Sequence, residues 1–295
     1  MILLRRATSR LTGADSFMSS PRVIAGFTIL AKIGEGARSQ IYAVQDPKTK
    51  QVWALKHVEL NNDKDDRFIA QAQSEYAIGT KLSHPAIRKI RKIIKQRKIF
   101  KLEGVAVIME LVDATSLDQQ LPKTTAAAVN IFQQVVDALS HMHKKGFVHA
   151  DMKPTNVLIT EDNQVKVIDL GQACPIGTIK KRIQGTPGYM APEQALREAI
   201  DERTDIYNLG AMMYWVLVRK VIPTAMSPQG GDPSLLSTTD IEHIPPPVPP
   251  HEECSNVPLE LSELIMECVA KNREDRPESM AVVSRKLGRM TKVRS

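Results

Sequence analysis

The chain has 295 residues, 42% hydrophobic and 25% charged, with a formal net charge of +7, enough apolar material to bury one or two cores. Its three cysteines, Cys174, Cys254 and Cys268, are odd in number and far apart, which excludes a disulfide framework or a cysteine metal cluster and points to a reducing, cytoplasmic compartment. No run approaches the roughly 18 to 20 apolar residues of a spanning helix, so a soluble chain is expected.

The first ten residues are basic, with no acid before Asp15. Their apolar part is too short for a secretory core, so residues 1–23 read as a disordered leader rather than a transit signal. Arg5-Arg6-Ala7-Thr8 looks like a basophilic phosphorylation site, but four-residue matches of this kind arise by chance. Phe27 to Glu59 is a series of short alternating runs broken by Gly and by Asp46-Pro47, the pattern of a strand meander. Within it, Ile33-Gly-Glu-Gly-Ala-Arg-Ser-Gln-Ile-Tyr-Ala-Val44 predicts strand, flexible turn and strand, with Gly34 and Gly36 allowing close backbone approach. Trp53-Ala-Leu-Lys56 follows on another strand. A helix is predicted over Arg67–Leu82; on its own its Glu75 reads as a solvated charge.

From Arg88 to Lys101, eight of fourteen residues are Lys or Arg and none is acidic. Strand alternation makes this two strands with a solvated cationic face. The alternative is a docking patch for an acidic protein, a nucleic acid or an anionic membrane; of these an acidic partner is retained and nucleic acid is not expected. Val105–Met109 is a strand running into Glu110-Leu-Val112. Thr124–Lys145 spaces Val129, Phe132, Val136, Leu139 and Met142 as one helical stripe, ended by Gly146. Val148 and the apolar Val157-Leu-Ile159 flank His149-Ala-Asp-Met-Lys-Pro-Thr-Asn156, and Val165-Lys-Val-Ile168 delivers Asp169 from a strand end. Residues 223–258 hold half of the eighteen prolines; Pro245–Pro250 reads as a rigid loop, or alternatively as a polyproline II ligand. A helix over Leu259–Ala270 and a basic tail close the chain.

The ordered set made by the glycine turn, Lys56, Glu75, His149–Asn156, Asp169-Leu-Gly171, Gly185-Thr-Pro-Gly-Tyr-Met-Ala-Pro-Glu193, Asp205–Gly210 and Asp275-Arg-Pro277 resembles the eukaryotic-type protein Ser/Thr kinases, bacterial members above all. The resemblance covers about residues 24 to 290. It implies an α+β bilobal fold: a small β-rich N-lobe over 24–109, a hinge over 110–113, a larger α-helical C-lobe over 114–290 and a tail over 291–295. It further implies ATP and Mg²⁺ as cofactors and protein substrates, while the lack of a long apolar run predicts no membrane anchor of the kind many bacterial relatives carry.

By the same resemblance Asp151 orients and deprotonates the accepting hydroxyl, Lys153 meets the transferring phosphate, and Asn156 and Asp169 hold the metal through hard oxygen donors. Lys56 contacts the α and β phosphates and pairs with Glu75. The nucleotide would be lined by Ile33, Gly34, Glu35, Gly36, Ile41, Ala54, Met109, Glu110, Val112 and Leu158. Thr178 and Thr186 are the candidate hydroxyls of the activation segment, with Thr186 bridging Asp151 and Lys153. His149, Asp205, Glu193 and Arg276 take structural roles.

Departures from the family pattern are Ser39 for glycine, Ile41 for valine, Leu170 for phenylalanine, Ala150 for the arginine beside the catalytic aspartate, and Gly79 where a larger apolar residue is usual. None removes a group that touches metal or transferred phosphate. Ala150 implies activity that does not require activation-loop phosphorylation, whereas Gly79 would loosen the helix bearing Glu75. Two other classes stay open: a pseudokinase scaffold that binds nucleotide and partners, and a small-molecule kinase, against which the Gly185–Glu193 segment argues.

Overall fold

A computed structural model of the protein describes residues 22–36, 38–60, 65–99, 101–223 and 243–292. Residues 1–21 of the leader, with its Arg5–Thr8 motif, Phe100, the proline-bearing stretch 224–242 and the last residues of the tail lie outside the described residues, whereas Val23, read as leader, already pairs in the first strand. The chain forms two compact units, one made of the residues up to Ser83 with Arg88–Ala114, the other of His84–Ile87 with the residues from Thr115 onward.

The first unit is an antiparallel sheet with one helix. Strands β1 (Val23–Ile24), β2 (Phe27–Gly36), β3 (Ser39–Gln45), β4 (Val52–Glu59), β5 (Ile90–Lys98) and β6 (Lys101–Met109) lie in the order β1-β2-β3-β4-β6-β5. Successive side chains alternate between faces. Ala54, Val58, Val105, Val107 and Met109 therefore share one face with Ile69 and Ala72 of helix α1 (Asp66–Gly79), while Phe27, Val44, Leu55, Ala106 and Ile108 make a second core on the other. The helix ends three residues before the predicted Leu82, where the Thr80 hydroxyl and N–H both turn back to the Tyr76 carbonyl.

Gly79 does not leave a gap. A Cβ built there would stand 2.4 Å from Ile90 Cδ1, so the bulk expected on the helix is supplied by the neighbouring strand.

The basic stretch folds as β5 and the start of β6. Ile90 and Ile93 pack into one core and Ile94 into the other, while Arg91, Lys92, Lys95, Arg97 and Lys98 are exposed. Arg91 lies 4.9 Å over the Trp53 ring and Lys92 5.0 Å over Phe27. Because β5 is the sheet edge, its cations also discourage pairing with another strand.

The second unit is mainly helical. Helix α2 (Thr125–Lys144) buries the predicted stripe, is capped by Thr124, whose hydroxyl accepts from Ala127 N–H at 3.1 Å, and stops at Gly146 with φ +81. Helix α4 (Glu202–Val218), capped by Asp201, is buried on almost every side. A three-stranded sheet of β7 (Ala114–Ser116), β9 (Val157–Thr160) and β10 (Val165–Val167), the two-residue strand β8 (Phe147–Val148), and helices α3 (Pro192–Leu196), α5 (Pro250–Glu253), α6 (Leu259–Cys268) and α7 (Met280–Lys292) complete it.

Pro245, Pro246 and Pro247 line a cavity of about 270 Å³ with Met190, Tyr207 and Met266, so this run packs on its own unit as a loop. Among the described residues, no helix is long and apolar enough to cross a membrane, and all three cysteines are free.

Candidate active site

In the first unit, strand alternation puts Lys56 on the same face as Ala54 and Val58, towards α1. The helix presents Ile69, Ala72, Glu75 and Ile78 along one stripe, and Lys56 Nζ meets Glu75 Oε2 at 2.7 Å with the carboxylate only 1% exposed. The turn between β2 and β3 pairs Gly34 with Ile41, Glu35 with Gln40 and Gly36 with Ser39, after a register shift between Lys32 and Gly34. A Cβ on Gly36 would come within 2.8 Å of Ser39 Oγ, so a larger residue there would make the Ser39 hydroxyl turn away.

Glu35 is tied to Lys32 at 2.6 Å, and that hydrogen bond holds its carboxyl below its ordinary value. Ile33 packs against the α1-side core, and Ala54 pairs with the fully buried Met109. Glu110 closes the end of β6: its N–H donates to the Lys89 carbonyl at 2.9 Å and its carboxylate accepts from Lys89 N–H at 3.1 Å. Val112 is half-buried.

In the second unit, three side chains converge on Asp151. Lys153 Nζ donates to Asp151 Oδ2 at 2.9 Å and to the Thr186 hydroxyl at 2.7 Å, and that hydroxyl donates to Asp151 Oδ1 at 2.7 Å. Asn156 gives its amide hydrogens to the Asp151 carbonyl at 2.8 Å, leaving Oδ1 as its metal-capable atom. Ile168 N–H donates to the Asn156 carbonyl at 2.9 Å, which brings the two loops together just before Asp169. Asp169 itself adopts φ +61, the left-handed region that aspartate tolerates better than most L-residues. Leu158 is half-buried on β9, paired with Lys166.

Asp205 fixes the backbone before Asp151. Its carboxylate accepts from His149 N–H at 2.8 Å, Ala150 N–H at 2.7 Å and His143 Nε2 at 2.8 Å. Burial opposes its ionisation, but His143 and the His149 contacts outweigh this and keep its carboxyl below the ordinary value. Ala150 is thereby held at φ +59. The His149 ring accepts Asp151 N–H through Nδ1 and points Nε2 at the Ile168 carbonyl, each at 3.3 Å. No ring nitrogen is left to take a substrate proton.

Further along, Glu193 and Arg276 form a buried bidentate pair at 2.7 and 2.9 Å, with the Thr204 hydroxyl donating to the same carboxylate at 2.7 Å. Burial works against ionisation of Glu193, and Arg276 prevails, holding it below its ordinary 4.5. Arg276 also lies 4.9 Å over the Tyr207 ring. Thr178 sits on strand β12 (Thr178–Ile179), its hydroxyl donating to the Pro175 carbonyl at 2.6 Å.

A family model of the protein kinase domain matches residues 27–287. The chain belongs to the protein kinase domain family. Among similar proteins, the "Serine/threonine-protein kinase PknB" of Mycobacterium tuberculosis is 28% identical over 274 residues, covering 88% of this chain and 42% of that protein. The "Serine/threonine-protein kinase pkn3" of Myxococcus xanthus is 28% identical over 285 residues, or 91% of this chain and 50% of its own length. An "Aurora kinase" of Candida glabrata is 32% identical over 195 residues, 65% of this chain and 54% of that protein. The kinase domain thus spans about half the length of the curated relatives it matches, or less.

Three residues of this kinase domain make contacts that were not foreseen from sequence. Gln194 donates to the Ala150 carbonyl at 2.8 Å and the Gln184 carbonyl at 3.2 Å, and accepts from Ala191 N–H and Asn208. It clamps the residue before Asp151 to the segment carrying Thr186; its place directly after Ala-Pro-Glu was the available signal. His143, six residues before His149 at the end of the α2 stripe, is the side chain on Asp205. Lys180 donates to the Gln172 carbonyl at 2.5 Å, a bond to backbone that leaves no mark in the sequence.

The family implies Mg²⁺ and ATP, and the donor chemistry fits. One amide oxygen and one carboxylate are hard ligands, suited to an ion that retains waters and shares phosphate oxygens.

Proposed function

We propose that this chain transfers the γ-phosphoryl group of ATP, with Mg²⁺, to Ser or Thr hydroxyls of protein substrates. The observation that carries the reading is the Thr186 hydroxyl on Asp151 Oδ1 with Lys153 bridging both. A hydroxyl there already donates its hydrogen to the carboxylate while an ammonium balances the charge. An accepting Ser or Thr needs the same arrangement to lose its proton during attack.

In this reading Asp151 positions and deprotonates the acceptor, and Lys153 offsets charge on the moving phosphoryl group. Asn156 and Asp169 hold Mg²⁺, which supplies charge neutralisation at the phosphates when bound. Lys56, oriented by Glu75, meets the α and β phosphates, and the Gly34–Gly36 turn with Ile41, Ala54, Met109, Glu110, Val112 and Leu158 lines the nucleotide. Ala150 offers no cation to a phosphorylated loop, so basal activity should not require loop phosphorylation. Exposed cations of β5 are the docking surface we assign to an acidic protein partner.

The test is incubation of the purified chain with labelled ATP, Mg²⁺ and generic Ser/Thr acceptors, followed by phosphosite mapping. Wild type should label Ser and Thr, and Asp151→Asn should bind nucleotide with greatly slowed transfer. Nucleotide binding by wild type with no transfer would favour the scaffold reading, which the Ser39, Leu170 and Ala150 departures suggest. For loop independence, initial rates of phosphatase-treated wild type and Thr178→Ala are compared; a more than tenfold loss in both, restored by rephosphorylating wild type, refutes it.

A further inference from the structure

Within the second unit, the segment from Asp169 to Thr186 is fastened at several points. Strand β11 (Cys174–Pro175) pairs with β8, and β12 pairs with β13 (Ala199–Ile200). Thr186 rests on Asp151 and Lys153, and the Gln184 carbonyl is held by Gln194. A further fastening is Lys180, whose ammonium reaches back eight residues to the Gln172 carbonyl in the turn Leu170–Gln172 that follows Asp169.

Lys180 differs from its neighbours. Lys181 and Arg182 are exposed, whereas Lys180 is half-buried. Burial lowers its pKa, and the Asp151 carboxylate acts in the opposite sense, favouring the cation. The residue beside that carboxylate cannot supply a charge, since the Ala150 methyl packs with Val148, Cys174 and Ile200.

We propose that Lys180 is a positioning residue, a cation within the segment that closes residues 169–186 and keeps Thr186 on Asp151 without phosphorylation. The bond is charge-assisted and partly shielded from water, so it is stronger than a neutral one. Its loss strands the Gln172 carbonyl and frees one end of the stretch from Lys180 to Gln184. A phosphate on Thr178, two residues away, would compete for the same ammonium rather than complete the site.

The inference rests on the kinase reading, and its test has an arm that does not. Phosphatase-treated wild type, Lys180→Met and Lys180→Arg are compared by peptide phosphorylation and by amide hydrogen exchange. In Lys180→Met we expect kcat to fall about tenfold, the scale of one such hydrogen bond, with KM for ATP unchanged. Exchange over residues 180–187 should rise by a similar factor while α4 keeps its protection, and Lys180→Arg should restore most of both. Exchange in Lys180→Met within twofold of wild type overturns the proposal, as does equal impairment of the Met and Arg variants. A wild type that transfers no phosphate refutes the kinase reading alone, and the exchange comparison still decides the role of Lys180.

Discussion

The two units hold their charged residues in different ways. In the first, Lys56 meets Glu75 across a strand and a helix, and α1 has no side-chain hydrogen bond at its N-cap. In the second, Asp151 sits in a mesh: Lys153 and Thr186 on its carboxylate, Asn156 on its carbonyl, and Asp205 and Gln194 on the two residues before it. The supporting helices there, α2 and α4, both have side-chain caps. The Lys56–Glu75 ion pair thus depends on the placement of one helix, whereas the geometry at Asp151 is set from several segments of the second unit.

The strongest way to break this comparison is at Asp151. Asp151→Asn should lower turnover by about 100- to 10,000-fold, the range for a lost general base, with nucleotide affinity and melting temperature nearly unchanged. Turnover at the wild-type level would remove Asp151 from the chemistry.

Next in size is Arg276→Met, which buries the Glu193 carboxylate without its cation and should cost about 3–5 kcal/mol in denaturant unfolding. The pH sign follows from Glu193. Its folded pKa lies below its ordinary 4.5, so its stabilisation is complete above that value and is lost as pH falls through the lower folded one. Wild type should lose stability on acidification more steeply than Arg276→Met does. Parallel acid limbs would show that this pair does not set the slope.

Glu75→Gln sharpens the contrast between the units. It keeps the shape but removes the charge that orients Lys56, so kcat should drop by about one to two decades, in line with about 1.5–3 kcal/mol for a hydrogen bond to a charged group. Stability should move much less than for Arg276→Met. An equal stability loss would make the first unit's pair structural after all.

The smallest effect is expected on β5. Replacing Lys92, Lys95, Arg97 and Lys98 by Gln should change stability by less than about 1 kcal/mol and leave generic-peptide phosphorylation intact, while an acidic partner's binding should weaken and lose its salt dependence. Salt-independent binding to both proteins would rule out the docking surface.

Much of this was legible in the sequence because it is periodic or ordered. Alternation marked the sheet, a helical stripe marked α2, and the spacing from His149 to Asp169 marked the loops that the structure joins through Ile168 and Asn156. What escaped has no period. Gln194 and Lys180 act on carbonyl groups, which every residue possesses, so no side-chain pattern reports their partners. The left-handed backbone at Ala150 and Asp169 is equally silent in a chain that places no glycine there. His143 was visible only as the polar neighbour of an apolar stripe.

Gly79 and Ile90 carry a last consequence, concerning inheritance. The space beside α1 is filled once, from the strand rather than from the helix. A larger side chain at 79 collides with Ile90, and a smaller one at 90 opens a void beside Gly79. Neither position can drift alone, so the two should change together among descendants of this chain. A relative that carries a bulky residue at the first position should carry a small one at the second.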